Sequence, residues 1–294
     1  MDIAPLHATV VDDRRRRLLA RLDAALDRLD RLVPLDDARF LATHVLYEGR
    51  SDQQRRIVDW FATRVRPTPD RPFRVLSVGC GSGILDVPVA ADFSQRAGGL
   101  RYVGVDPNGA ECDAFAEAFA RALPAGAELE LHAGTFESFE AKDAFDLVHL
   151  VHCVYYLPDA PAALRRARDL LAPGGQLVVF HAPREALNEL AVRFYDKQYG
   201  RPTLFAGELA GLFDGWGWSY ERGRVDARVD VTPYVEGDPE LGPMLRDFIV
   251  QADTSALPAD VRELVDAYLR LVTATGAVGQ ATIDHPVDVF VIDG

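Results

Sequence analysis

Three glycines at alternating positions follow an apolar run in the segment VLSVGCGSG, which spans Val75–Gly83. Glycine allows a sharp turn and lets the backbone approach a ligand without side-chain obstruction. Dinucleotide sites carry G-x-G-x-x-G, whereas the third residue after Gly81 is Ile84, so the spacing argues against a pyrophosphate site. We therefore expect Gly79, Gly81 and Gly83 to approach another kind of ligand, although such a string can also form only a tight loop.

Asp106 ends the apolar segment YVGVD, about 25 residues beyond the glycine turn. A carboxylate at the end of the second strand of such a unit can accept the hydroxyl protons of a ribose. Asp106 followed by Pro107 is also typical of a helix N-cap, which needs no ligand. Further along, Thr135 and Phe136 follow the run ELELHAG, where they could hydrogen-bond to an adenine ring and stack on it.

Apolar runs that alternate with helical patterns must position these residues. From Phe73 onward the runs FRVLSVG, LRYVGVD, ELELHAG, FDLVHLV and QLVVFHA alternate with helical segments, notably 109–123 and 160–171. This alternation predicts an α/β fold with a parallel sheet covered by helices on both faces. RVDARVDV predicts a further strand, and PVDVFVID predicts a final one.

Helical patterns also flank this alternating region. Leucines at helical spacing predict an amphipathic helix over 10–33 that Pro34 ends. A second helical stretch covers 35–66 with a break near 49–51, and a helical insert covers 238–279. We expect these helices to form a cap. The predicted division is an N-terminal helical cap over 1–70, a cofactor-binding core over 71–236, and the rest of the cap plus the final strand over 237–294.

Composition and charge exclude several classes of function. The 294 residues are 48% hydrophobic, which is enough for one large core. The formal net charge of -13 at pH 7 opposes phosphate backbones and anionic membranes, so we expect neither nucleic acid nor membrane as a partner. Cys80, Cys112 and Cys153 lack the spacing of metal ligands, so we expect no metal site. No apolar run is long enough for a signal peptide or a membrane span, and we expect a cytoplasmic protein.

Taken in order, five segments resemble class I S-adenosylmethionine-dependent methyltransferases over about residues 70–222: the glycine turn, YVGVDPN, HAGTFESF, FDLVHLVHCVYYLPD and LLAPGGQLVVF. The resemblance implies a doubly wound, seven-stranded, mostly parallel Rossmann-like sheet with a helical substrate cap, and S-adenosylmethionine as cofactor. The cofactor contacts that it implies come from Ser77, Gly79, Gly81, Gly83, Asp106, Pro107, Thr135, Phe136 and Val151. One departure is Ser77, because that class usually has an acid there for the amino group of the methionine moiety. Backbone carbonyls or another carboxylate must then do this work.

Nearly the whole chain after residue 35 is also similar to histamine N-methyltransferases. The matching strings include FDLVHLVHCVYYLPDAPAAL and PVDVFVID. By position, the resemblance assigns substrate contacts to Glu48, His152, Tyr155, Tyr156, Phe248 and His285. Two tryptophans of that family's pocket become Leu187 and Ala191, so we expect an acceptor other than histamine itself.

Methyl transfer is an in-line displacement at a sulfonium, in which the protein aligns the acceptor and keeps its nucleophile deprotonated. Glu48 would anchor a cationic amine, and His152 or His285 would act as base or relay, which makes these three the candidate catalytic residues. Structural interpretations stand beside these roles, since Glu48 could pair with Arg50 on a helix surface and the two tyrosines could pack at a sheet edge. We interpret His149, inside a buried strand, as structural.

The expected function is transfer of a methyl group from S-adenosylmethionine to a nitrogen of a small amine or imidazole-like molecule. Two alternatives use the same cofactor: O-methylation, and intramolecular cyclisation to azetidine-2-carboxylate with release of methylthioadenosine. A third alternative is a non-catalytic cofactor-binding module. The expected partner is a small-molecule substrate, whereas the identity of the acceptor and the oligomeric state do not follow from the sequence.

Overall fold

The structure is a computed structural model that describes residues 4–124, 126–200, 202–276 and 279–294. The chain divides into two compact units. The core unit consists of Gln54–Pro183, Leu204–Val225 and Val287–Gly294. The helical unit consists of the described parts of Met1–Gln53, Arg184–Thr203 and Asp226–Pro286. The predicted assignment of cap and cofactor-binding functions to 1–70, 71–236 and 237–294 stays a prediction.

The helices in chain order are α1 (Ala4–Leu26), α2 (Asp37–Glu48), α3 (Gln53–Arg64), α4 (Asp86–Arg96), α5 (Gly109–Ala122), α6 (Ala160–Asp169), α7 (Leu187–Tyr199), α8 (Ala206–Gly215), α9 (Thr232–Glu236), α10 (Leu241–Val250) and α11 (Ala259–Val272). The strands are β1 (Phe73–Val78), β2 (Leu100–Asp106), β3 (Ala127–Ala133), β4 (Phe145–Val151), β5 (Leu171–His181), β6 (Tyr220–Val225), β7 (Arg228–Asp230), β8 (Ala274–Thr275), β9 (Ala281–Asp284) and β10 (Val287–Asp293). Short 3-10 turns follow β3, β4 and α10.

The core unit is built on a seven-stranded sheet of order β3-β2-β1-β4-β5-β10-β6. The first five strands in this order pair in parallel, and β10 lies antiparallel between β5 and β6. Alternate side chains of a strand point to opposite faces, and they divide here between two apolar clusters. One cluster includes residues of α6 and α8, and the other includes residues of α3, α4 and α5. The predicted doubly wound, mostly parallel α/β fold is confirmed.

The register of this sheet places the predicted cofactor residues at its carboxyl edge. In β1, Ser77 lies beside Gly104 of β2 and His149 of β4. The glycine turn follows β1 directly, and Asp106 is the last residue of β2. Ligands of open parallel sheets bind outside the carboxyl ends of the strands, near the point where the strand order reverses. Here that point lies between β1 and β4, because β2 continues the sheet on one side of β1 and β4 on the other.

The helical unit has its own apolar cluster and a small sheet. The cluster joins leucines of α1 to residues of α7, α10 and α11, with Leu22 and Leu245 almost fully buried. The sheet has the order β7-β9-β8 and is antiparallel. Hydrogen bonds tie β7 to Asp52 of the same unit, since Asp52 N–H donates to Arg228 O and Arg228 N–H donates to Asp52 Oδ1.

Three sequence predictions in these elements need correction. The single strand predicted for RVDARVDV is wrong, because β6 ends at Val225 in the large sheet and Arg228–Asp230 joins the small sheet. The helix predicted to reach Pro34 ends at Leu26, although Leu32 still packs in the same cluster as Leu26. The insert predicted to be helical throughout also contains Ala274–Thr275 of β8. In each case pairing or packing with a distant segment overrides the local pattern.

Candidate functional site

The three predicted glycines all adopt left-handed backbone conformations, with φ of 70° at Gly79, 52° at Gly81 and 72° at Gly83. A Cβ at Gly79 would lie 2.5 Å from Cβ of Cys153, and a Cβ at Gly83 would lie 2.1 Å from the ring of Phe115. These two glycines are therefore required by packing inside the protein. At Gly81 the nearest atom to such a Cβ lies 4.0 Å away, so the space beside this backbone is open to a ligand.

Asp106 links the ends of the first two strands. Its Oδ2 accepts a hydrogen bond from Gly81 N–H at 3.0 Å, and its Oδ1 accepts one from Asn108 N–H at 2.9 Å. These bonds hold the carboxylate beside the open glycine, and each oxygen retains a lone pair for a further donor. The alternative interpretation of Asp106 as a helix N-cap does not apply, since Asn108 caps α5 through Ala110 and Glu111 N–H.

The other predicted cofactor residues differ in accessibility. Pro107 and Thr135 are exposed and Val151 is half-buried. Phe136 lies in the apolar cluster on the α6 side of the sheet, and the Arg166 guanidinium covers its ring at 5.3 Å. Ser77 is 2% exposed. Direct stacking of adenine on Phe136 and direct contact with Ser77 stay predictions.

His152 follows β4 at the carboxyl edge and has a left-handed backbone with φ of 51°. This conformation costs a residue with a side chain about 1–3 kcal/mol, and such strain is concentrated at functional sites. His152 N–H donates to Phe180 O, and the ring nitrogen Nδ1 lies 2.9 Å from the hydroxyl of Tyr155. Both contacts fix the direction in which the imidazole projects.

The tyrosine pair divides between packing and exposure. The hydroxyl of Tyr155 accepts a hydrogen bond from Ala182 N–H, and its ring stacks on His181 with 4.2 Å between ring centroids. Burial raises the pKa of Tyr155, so this hydroxyl stays protonated. Tyr156 is 68% exposed and meets the Tyr155 ring edge-on at 5.9 Å. Stacking of His181 on Tyr155 is a contact that sequence spacing could not reveal.

Three residues predicted to contact substrate converge on one ring cluster in the helical unit. The ring of Tyr47 lies 4.5 Å from that of Phe248 and 5.5 Å from that of His285. His44 stacks on Phe248 at 5.4 Å with an interplanar angle of 7°. Glu48 follows Tyr47 directly, and its Oε1 lies 3.7 Å from His44 Nε2. We call these five residues the ring cluster.

The sequence predicted only part of the ring cluster. Tyr47 and His44 were missed, although their spacing to Glu48 places His44 and Glu48 on one face of α2 with Tyr47 beside them. The proposed pair of Glu48 with Arg50 is wrong, since Arg50 Nη1 bonds Asp230 Oδ2 at 2.9 Å.

His285 lies in the connection between β9 and β10 and not in the last strand. Gln53 Nε2 donates to His285 O at 2.7 Å, which fixes the backbone there. Leu187 and Ala191, which stand at the positions of two tryptophans, both lie on α7. Leu187 is buried in the apolar cluster of the helical unit.

Glu48 occupies an unusual place for a carboxylate. It is the last residue of α2, where the partial negative charge of a helix disfavours an anion. The adjacent Tyr47 is fully buried, and burial together with the Glu48 charge raises its pKa well above 10. Tyr47 therefore offers a neutral ring beside a carboxylate. An anion next to aromatic faces is an arrangement that attracts a cation.

Comparison with known proteins identifies the family. A family model described as a methyltransferase domain matches residues 50–224. The chain belongs to this methyltransferase family. Histamine N-methyltransferase of Xenopus tropicalis is 25% identical over 218 residues, which cover 65% of this chain and 71% of that protein. Histamine N-methyltransferase B of Xenopus laevis is 23% identical over 292 residues, which cover 88% of this chain and 96% of that protein.

Solved structures share the fold of this methyltransferase. The YcgJ protein from Bacillus subtilis superposes with a TM-score of 0.53 at 16% identity, covering 81% of this chain and 96% of that one. The plantazolicin methyltransferase BpumL in complex with S-adenosylhomocysteine superposes with a TM-score of 0.50 at 11% identity, covering 97% and 99%. S-adenosylmethionine is the cofactor of this methyltransferase.

The residues at the carboxyl edge of the core sheet fit that cofactor. The open face of Gly81 lets the ligand approach the backbone, and Asp106 can accept hydrogen bonds from ribose hydroxyls. S-adenosylmethionine supplies a methyl group on a sulfonium centre, so this chain needs no nucleophile of its own.

Among the described residues, no group of three His, Cys, Asp or Glu side chains could hold a metal ion. None of the helices in that part of the chain is long and apolar enough to cross a bilayer.

Proposed function

We propose that this methyltransferase transfers the methyl group to a nitrogen of a small cationic amine or imidazole-like acceptor. The ring cluster carries this proposal, because it combines the Glu48 carboxylate, which lies 3.7 Å from His44, with the packed rings of His44, Tyr47 and Phe248. Cations bind over aromatic faces with about 0.5–2 kcal/mol per contact, and a nearby anion adds to this attraction. A neutral phenol or alcohol would gain little from the same arrangement.

In this proposal the residues divide the work between binding and proton removal. Glu48 holds the protonated amine and Phe248 contacts its carbon skeleton, while the buried ring of Tyr47 supports Phe248. The nitrogen must lose its proton before it can attack, and His285 of the ring cluster is the base in this proposal. His152 of the core unit is the other candidate for a base or relay. Tyr155 positions His152 through its contact with Nδ1. The two histamine N-methyltransferases named above act on histamine, by their names, and support an amine or imidazole acceptor.

The test is a product analysis without prior choice of acceptor. The purified protein is incubated with S-adenosylmethionine and separate panels of primary amines, imidazoles, phenols and catechols, and the products are identified by mass spectrometry. We expect S-adenosylhomocysteine together with a methylated nitrogen on an amine or imidazole. A methyl group only on oxygen, or release of methylthioadenosine without any acceptor, would contradict N-methylation. No turnover with bound cofactor across all panels would contradict an enzymatic role toward these acceptors.

A further inference from the structure

Four aspartates are buried in the described part of the chain, and three of them have a basic partner. The pairs are Asp146 with Arg71 and Arg74, Asp247 with Arg39, and Asp288 with Arg222. The fourth, Asp86, is 4% exposed and has no lysine or arginine partner among the residues described. A buried carboxylate without a counter-charge is costly, so its presence calls for a specific reason.

Neutral groups surround Asp86. The hydroxyl of Tyr102 donates to Asp86 Oδ1 at 2.8 Å and lies 2.8 Å from His149 Nε2. Since the tyrosine gives its only proton to Asp86, His149 must donate its Nε2–H to the tyrosine oxygen. Burial lowers the pKa of His149 to about 3, so the imidazole is uncharged at neutral pH. A hydrogen bond from Ser77 completes this buried cluster.

The position of this cluster relates it to the glycine turn. Asp86 is the first residue of α4, just after Gly83, and Ser77 precedes the same turn in β1. Ser77 and Asp86 of the cluster therefore stand before and after the glycine turn, which is the backbone segment that approaches the cofactor. The amino-acid part of the cofactor carries an α-ammonium group, which is protonated and therefore cationic at neutral pH. Its charge would offset that of Asp86, and the low dielectric constant of the interior strengthens such an interaction.

We propose that Asp86 is the buried counter-charge for the α-ammonium group of the bound cofactor. Asp86 is 4% exposed, so it acts through the Ser77 hydroxyl and the field across the glycine turn. Asp86 is thus a positioning residue. The carboxylate expected at position 77 from the resemblance is replaced by a serine that hydrogen-bonds to a carboxylate nine residues later.

The titration of Asp86 agrees with this role. Burial raises its pKa to about 6, while the hydrogen bonds from Ser77 and Tyr102 oppose the rise and the charge of Asp106 adds to it. The groups that face Asp86 are Ser77 of β1, Tyr102 of β2, His149 of β4, Cys80 of the glycine turn and Asp106 at the end of β2. A bound cation would favour the ionised form of Asp86.

The test compares three ligands that share the nucleoside. S-adenosylmethionine and S-adenosylhomocysteine carry the α-ammonium group, and methylthioadenosine does not. Isothermal titration calorimetry on Asp86→Asn should show about tenfold weaker binding of the first two and less than twofold change for methylthioadenosine. Ser77→Ala, a smaller change, should show the same selectivity with a loss of about threefold. Asp92→Asn on the same helix, away from the cluster, should change none of the three affinities.

The unmodified protein gives an independent measurement. Acidification from pH 7 to pH 5 protonates Asp86, so affinity for S-adenosylhomocysteine should fall several-fold more than affinity for methylthioadenosine. Equal losses for all three ligands in both variants would mean that the cluster only supports the fold and would overturn the proposal. Loss for S-adenosylmethionine alone would place the counter-charge at the sulfonium and overturn the assignment to the ammonium group. None of these measurements requires an acceptor, so their result is independent of the proposed N-methylation.

Discussion

Glu48 ends α2 at the place where an isolated helix least favours a carboxylate. It is only partly exposed, and its Oε1 lies 3.7 Å from Nε2 of His44 in the same helix. This local conflict separates Glu48 from the many surface carboxylates of this acidic chain.

Replacement of Glu48 by glutamine tests this residue. Glu48→Gln should raise KM for a cationic acceptor about tenfold, the scale of one charged hydrogen bond, with a smaller change in kcat. The melting temperature should stay equal or rise slightly, because an anion leaves a helix C-terminus. Glu236→Gln is the matched control, since Glu236 is exposed at the end of α9. An equal effect of both substitutions on KM would refute a specific role for Glu48.

At the scale of elements, the glycine turn combines two kinds of glycine. Gly83 is needed for packing against the fully buried ring of Phe115, whereas Gly81 faces open space and bonds through its N–H to Asp106. Both glycines adopt a left-handed backbone conformation. Substitution of each by alanine therefore separates the stability of the turn from its ability to admit a ligand.

The two alanine variants should differ in their main defect. Gly81→Ala should cost about 1 kcal/mol of unfolding free energy, because a Cβ is strained at this φ, and should weaken cofactor binding more than tenfold. Gly83→Ala adds a clash with Phe115 and should cost about 3 kcal/mol or more. Chemical denaturation and calorimetric titration with S-adenosylhomocysteine measure the two effects. Near-normal cofactor affinity in Gly81→Ala would show that the open face of this residue is not used.

Sequence patterns predicted the elements that carry local signals. The glycine spacing gave the turn after β1, and the apolar run PVDVFVID gave β10. The small sheet was missed because β9 is the four-residue segment ATID, and its alternation of apolar and polar residues is too short to predict a strand. RVDARVDV alternates without interruption, so nothing local marks its division between two sheets.

The candidate site shows the same limit. Residues matched by resemblance, such as Glu48, Phe248 and His285, do come together in the helical unit. Their neighbours Tyr47 and His44 became apparent only from ring contacts. Asp86 is an acidic residue in the first turn of a helix, where acids are common. It is distinguished only by its burial without a lysine or arginine partner among the residues that the structure describes.

For the whole molecule, two buried histidines link stability to pH. Burial lowers the pKa of His149 and of His181 to about 3, well below the ordinary value of 6.5. A lowered pKa means that the unfolded chain binds more protons than the folded one. The stability that depends on these neutral histidines is therefore fully present above pH 6.5 and is lost as the pH falls toward 3. Asp86 acts in the opposite direction, since its pKa is raised to about 6 and protonation stabilises the folded state.

The balance of these groups predicts a loss of stability on acidification. Between pH 7 and pH 5 the free energy of unfolding should fall by about 2 kcal/mol for each histidine and rise by about 1 kcal/mol for Asp86. The net loss of stability is about 3 kcal/mol. Urea unfolding followed by tryptophan fluorescence measures this, because Trp60, Trp216 and Trp218 all belong to the core unit. In the variant His149→Gln the free energy of unfolding should change less steeply with pH. Unchanged or greater stability at pH 5 would contradict the burial of both histidines as neutral rings.

The place of β10 between β5 and β6 has a consequence for synthesis of the chain. β5 and β6 are made first and are not neighbours in the sheet, and the strand that pairs with both of them comes after β7–β9 in the chain. During translation the nascent chain therefore exposes the edge of β5 and an incomplete apolar face. Exposed strand edges favour association with other chains, so this interval is where chaperones would act on the protein.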